Sequence, residues 1–163
     1  MRKLSFSIIL AGLIGSLWLA SGAVVQAGDE RIAIKGHDPV AYFTENRPMV
    51  GDAQFQYEWD GAIYRFASAN HLALFKADPD RYLPQYKSWC TASVANGEKV
   101  YGNPEWWLVV DGRLYLFGKP IGPELMSKNP AAMKNEADKN WSSVSKLPAP
   151  LLPDYMRAVG STQ

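Results

Sequence analysis

The stretch Phe55-Gln56-Tyr57-Glu58-Trp59-Asp60-Gly61-Ala62-Ile63-Tyr64-Arg65-Phe66 decides the fold. Phe55, Tyr57 and Trp59 alternate with polar residues, which is the period of a half-buried strand. Asp60-Gly61 is a pair that accepts the left-handed backbone of a two-residue hairpin turn, and Ile63, Tyr64 and Phe66 form the return strand. A second hairpin signal follows at 106–117, where Trp106 to Val110 runs into Asp111-Gly112 and then Arg113 to Phe117. Two antiparallel hairpins are therefore predicted.

Upstream, Ile32 and Ile34 alternate with polar neighbours and predict a short strand entering Gly36-His37-Asp38-Pro39, followed by the apolar patch Val40 to Phe43. Downstream, Ser68 is a favoured N-cap for a helix over 69–77, on which His71, Leu74, Phe75 and Asp78 share one stripe. Pro79 and Pro84-Gln85-Tyr86 punctuate the exit, and 88–95 predicts a shorter helix carrying Cys90. Gly97, Gly102 and Pro104 mark a loop. After the second hairpin the pattern turns helical, with Pro123 in a first turn and a later helix over 130–141 that Trp141 docks on the sheet. The proline-rich run Leu147 to Pro153 cannot continue a helix, so 142–163 reads as a loosely ordered tail. No internal repeat is expected. The whole predicts a single α+β domain over 28–141: a small antiparallel sheet of two hairpins with helices packed on it. Aromatic residues, 12% of the chain, build its core on large rings.

Arg2 and Lys3, the apolar run from Ile8 through Ala20, and the small residues ending Val25-Gln26-Ala27 predict a signal peptide over 1–27, cleaved after Ala27. The apolar run is broken by Gly12, Gly15 and Ser16 and is followed by no stop-transfer pattern, so no stable membrane span is expected after cleavage. The expected destination is the periplasm. Loss of Arg2 and Lys3 turns the formal net charge of +1 slightly negative. Such a chain has no electrostatic reason to bind nucleic acid.

Cys90 is the single cysteine. An exported protein normally pairs its cysteines or lacks them, so a lone thiol asks for an explanation. His37, His71 and Cys90 exhaust the imidazoles and thiols, and this mixed set suits copper or zinc by softness if folding assembles it. Met49, Met126, Met133 and Met156 would add thioethers. Each residue also has a plain reading. His71 fits a hydrogen-bonded core histidine, His37 a turn residue bonded to backbone carbonyls or to Asp38, Cys90 a small buried hydrophobe, and Trp106-Trp107 cross-strand packing. Cys90 with either histidine would make a nucleophilic dyad, because imidazole activates a thiol. No phosphate loop, paired-thiol motif or serine elbow is present.

At 36–43 (GHDPVAYF), 64–68 (YRFAS), 75–82 (FKADPDRY) and 86–94 (YKSWCTASV), then in the hairpin WLVVDGRLYLF and the closing ADKNW, the chain resembles YHS-domain proteins, in particular the exported YHS domain-containing (seleno)protein subgroup. The resemblance spans about residues 31–141. In metal-associated YHS domains the positions matching Ala41, Ala67 and His71 carry soft ligands, so by that pattern only His71 remains as one. The exported subgroup places a cysteine at the position of Cys90, and some relatives carry selenocysteine there, which implies a redox nucleophile. Tyr86-Lys87-Ser88 replaces the Tyr-Gly-Gly usual before that cysteine, a change expected to alter the turn and access to the thiol.

The expected function is that of a periplasmic YHS protein with a copper-like metal-associated or thiol redox role centred on Cys90, with His37 and His71 as partners and with Cys90 also the group through which a dimer would form. On this reading Cys90→Ser abolishes copper binding or thiol reactivity and leaves the fold intact. The alternatives are a thiol-dependent peroxide or disulfide enzyme and a non-catalytic ligand- or protein-binding module.

Overall fold

A computed structural model describes residues 31–150. The expected signal peptide and the end of the expected tail, 151–163, lie outside the described residues. The order is a left-handed turn Ala33–Gly36, α1 Ala41–Thr44, β1 Asp52–Trp59, β2 Ala62–Phe66, α2 Ala69–Ala77 and α3 Pro79–Tyr82. A second left-handed turn Gln85–Ser88, α4 Thr91–Ala95, β3 Asn103–Val110, β4 Arg113–Phe117, α5 Gly122–Lys128 and α6 Pro130–Val144 follow. This is an α+β domain. Both predicted hairpins form, with the turn residues Asp60, Gly61, Asp111 and Gly112 all at positive φ. Among the described residues they are not one sheet: β1 pairs only with β2 and β3 only with β4.

The predicted strand at Ile32 and Ile34 is a correction. Ile32 makes a single bridge to Ile63, and the chain then coils through Ile34 (φ 49°) and Lys35 (φ 51°), which turns both away from strand geometry. The expected tail boundary at residue 141 falls inside α6. Val144 is buried, Lys99 Nζ donates to the carbonyl oxygens of Ser145 and Leu147 at 3.0 and 2.5 Å, and the Tyr101 hydroxyl donates to Pro150 at 3.3 Å. Residues 142–150 are thus held on the domain.

The absence of repeats is a third correction, because the described residues form two matching halves. Each begins with a left-handed turn (Ile34, Lys35, Gly36; Tyr86, Lys87, Ser88), continues through a short helix into an Asp-Gly hairpin, and ends in two helices. The long-range contacts coincide at a nearly constant offset. Bridges join His37 to Val50 and Trp89 to Tyr101, and Ile32 to Ile63 and Pro84 to Leu114. The Asp38 and Cys90 amides donate to Met49 and Val100, each at 2.8 Å. Asp78 caps α3 and Asn129 caps α6 through the same side-chain bond. Gly51 and Gly102 are counterparts as well. A Cβ would lie 2.4 Å from the Arg65 carbonyl carbon at the first and 2.5 Å from the Ser88 oxygen at the second. Cys90 therefore stands where the first half has Asp38.

Two apolar clusters form the core, and the β3–β4 hairpin divides them. Leu114 and Leu116 point into the first, with Val40, Tyr42, Tyr64, Phe66 and Phe75, while Tyr115 and Phe117 point into the second, with Tyr86, Trp89, Cys90, Val94 and Met126. Strand alternation requires this split, since successive side chains leave opposite faces. Trp107 packs on the first cluster, edge-on to Tyr42 at 5.1 Å, and Trp106 on the second. Trp141 lies edge-on to Tyr86 at 5.6 Å rather than on a strand alone.

Candidate functional site

Local sequence places the imidazole of His71. Ser68 caps α2 as predicted, its hydroxyl accepting from the His71 amide at 3.2 Å. This sets the first turn so that His71 and Phe75, one helical turn apart, both face inward. Across from them, the left-handed turn and Pro39 bring Asp38 into the interior with no solvent exposure.

A buried carboxylate must be saturated with donors, and Asp38 is. Oδ1 accepts from the Val40 amide at 2.8 Å, and Oδ2 accepts from the Ala67 amide at 2.8 Å and from His71 Nδ1 at 2.6 Å. The carboxylate thereby ties together the turn before α1, the end of β2 and helix α2. It also puts a ring proton on Nδ1 and leaves His71 Nε2 as the outer nitrogen. Nε2 meets the Thr44 hydroxyl at 3.3 Å and stands 3.9 Å from Glu45 Oε1, on a side chain that is 44% exposed. The result is an imidazole fixed from behind by a carboxylate and opening toward a second, solvated carboxylate. Asp38, Thr44 and Glu45 were not read from sequence as site residues. The cue available was Asp38 following His37 in a turn, and its pairing with His71 across 33 positions exists only in the fold.

The three expected ligands are not assembled. His37 caps its own turn, with Nδ1 3.2 Å from the Ile34 oxygen and Nε2 3.8 Å from Glu105. Cys90 belongs to the second cluster, is 4% exposed and immediately precedes α4. Among the described residues no three His, Cys, Asp or Glu side chains gather to hold a metal. At 4% exposure a disulfide-linked dimer through Cys90 requires the second half to open first. Met126 and Met133 pack in that same second cluster.

Lys87 and Ser88, the positions at which the resembled pattern carries glycines, both adopt left-handed backbone (φ 52° and 71°). Glycine takes that conformation without the Cβ penalty, which side chains here incur. The Ser88 and Thr91 hydroxyls on either side of Cys90 are buried and make no hydrogen bond among the described residues.

Among the described residues, no helix is long and apolar enough to cross a membrane. The chain matches no family model, no curated protein and no solved structure.

Proposed function

We propose that this protein is an exported, metal-associated binding protein of the YHS type, in which His71 is the coordinating imidazole, Glu45 stands beside it, and copper or zinc is the ion. The observation that carries the reading is the 2.6 Å bond from His71 Nδ1 to the buried Asp38, with Nε2 left 3.9 Å from Glu45. Metal-ligating histidines characteristically donate their second nitrogen to a carboxylate, which fixes the tautomer and raises ligand basicity. Two ligand atoms each about 2.0–2.2 Å from one zinc ion stand roughly 3–4 Å apart, as these two do. The resemblance adds support, since His71 occupies a ligand position of metal-associated YHS domains. Two protein ligands leave the remaining coordination positions to water or to donors from another molecule, which suits transient holding of an ion over a closed structural site.

Titration of the reduced protein with zinc and copper tests this. Stoichiometric binding is expected, lost in His71→Ala, weakened in Glu45→Gln and retained in Cys90→Ser. Binding that survives His71→Ala, or its absence in the parent protein, refutes the proposal.

A second reading, a module that binds an extended segment of another protein, is favoured by β3. Among the described residues its backbone pairs only with β4, and Trp106, Trp107, Leu108, Val109 and Val110 are all half-buried along it. An apolar strand with an unpaired edge is a template for strand addition. Slowed amide exchange along β3 on adding a captured partner, unaffected by His71→Ala, would support it; unchanged exchange would exclude it.

A further inference from the structure

The seam between the two halves carries crowded positive charge that neither reading uses. The Arg31 guanidinium lies 5.5 Å from the ring centre of Trp89 and donates across the seam to the Lys87 carbonyl oxygen. The Lys99 ammonium lies 5.0 Å from the centre of the same ring. Lys87 itself forms an ion pair with Asp60 at 2.7 Å, both side chains being about half exposed. Among the described residues Lys99 has no carboxylate partner, and its bonds go to two neutral carbonyls, Ser145 and Leu147. Burial together with the charges of Arg31 and Lys87 moves its ammonium below the ordinary lysine range. Glu58 borders the shallow depression beside Arg31 without reaching ion-pair distance.

We propose that this cluster of Arg31, Lys87 and Lys99 around Trp89 is a binding site for a multivalent oxyanion. Like charges brought together on one aromatic ring repel, and the ring's negative face offsets only part of that repulsion. An oxyanion supplies the missing counter-charge. It also meets donor geometry that the cluster already offers: the planar fork of arginine, suited to phosphate or carboxylate, and two ammonium groups with free protons. Phosphate-type and polycarboxylate ligands share this chemistry.

The test follows the Trp89 indole N–H resonance of the full chain during titration with pyrophosphate and, in parallel, with citrate at low ionic strength. A saturable shift is expected, with Kd at least tenfold higher in Arg31→Gln and in Lys99→Gln and unchanged in Lys139→Gln, a control on the exposed face of α6. Preference for pyrophosphate identifies a phosphate-type ligand, preference for citrate a carboxylate-type one, and either supports the site. Lys99→Gln also loosens the end of α6, so Arg31→Gln carries the test if Lys99→Gln unfolds. Absence of a saturable shift with both probes, or equal affinity in Arg31→Gln, overturns the proposal.

Discussion

Replacing Asp38 by Asn changes one atom and should disable both the fold's central polar junction and the imidazole it orients. The carboxylate accepts two backbone amides on different oxygens, Val40 on Oδ1 and Ala67 on Oδ2, each at 2.8 Å. An asparagine has one oxygen, so either orientation of its amide points an N–H at a buried N–H. The orphaned donor costs about 1–3 kcal/mol, and replacing a charge-assisted bond to His71 with a neutral one costs about 1 kcal/mol more. The sum is a loss of about 2–4 kcal/mol, which for a domain with a urea slope of about 1–3 kcal/mol/M lowers the unfolding midpoint by about 0.7 M or more. The substituted amide nearest the ring also favours a proton on Nε2, so metal affinity should fall about 10–100-fold in the protein that remains folded. Urea unfolding followed by tryptophan fluorescence, with zinc titration of the same sample, measures both. A midpoint within 0.2 M of the parent, with affinity unchanged, would refute the reasoning, because a saturated buried carboxylate does not tolerate that exchange.

Three further predictions rest on other parts of the molecule. Ser88→Gly should stabilise the domain by about 1 kcal/mol, since glycine accepts the φ of 71° and the unbonded hydroxyl is removed; a lower thermal midpoint would contradict this. Gly102→Ala should destabilise by about 1–3 kcal/mol or abolish soluble expression, because the new methyl carbon meets the Ser88 oxygen at 2.5 Å and backbone must move; a parent-like midpoint would count against the close approach. Burial pushes Tyr64 up to about 12, with Arg31 opposing and Asp60 adding to the rise, and burial also raises Tyr42 and Tyr86, the latter reinforced by its hydrogen bond to Asp138. Their folded-state values exceed the unfolded value of about 10, so the stability they contribute is complete below pH ~10 and is lost as pH rises toward 12. Tyrosinate absorbance should therefore appear in two stages, the second coinciding with loss of the native circular dichroism; a single transition near pH 10 in folded protein would disprove it.

Helix α2 and both hairpins were legible in the sequence because their signals are local. Ser68 caps within its own turn, Asp-Gly pairs accept positive φ wherever they stand, and aromatic alternation states which face of a strand is apolar. The repeat was legible too, in Asp60-Gly61-Ala62-Ile63-Tyr64-Arg65-Phe66 against Asp111-Gly112-Arg113-Leu114-Tyr115-Leu116-Phe117, which share the turn pair, an aliphatic residue, a tyrosine and a phenylalanine at matching places. It was masked because the halves diverge where chemistry sits: Asp38 against Cys90, and Gly36 against Ser88.

Tertiary structure alone decided which groups meet His71. Asp38 Oδ2 lies 2.6 Å from one ring nitrogen and Glu45 lies near the other, and neither distance is encoded in spacing along the chain. Nor does any local signal report that the β3–β4 hairpin separates two cores and so keeps Cys90 in one while Phe75, on the buried face of α2 with His71, packs in the other. Residue types determine which side chains are able to bind a metal, but only the closure of long loops determines which of them meet.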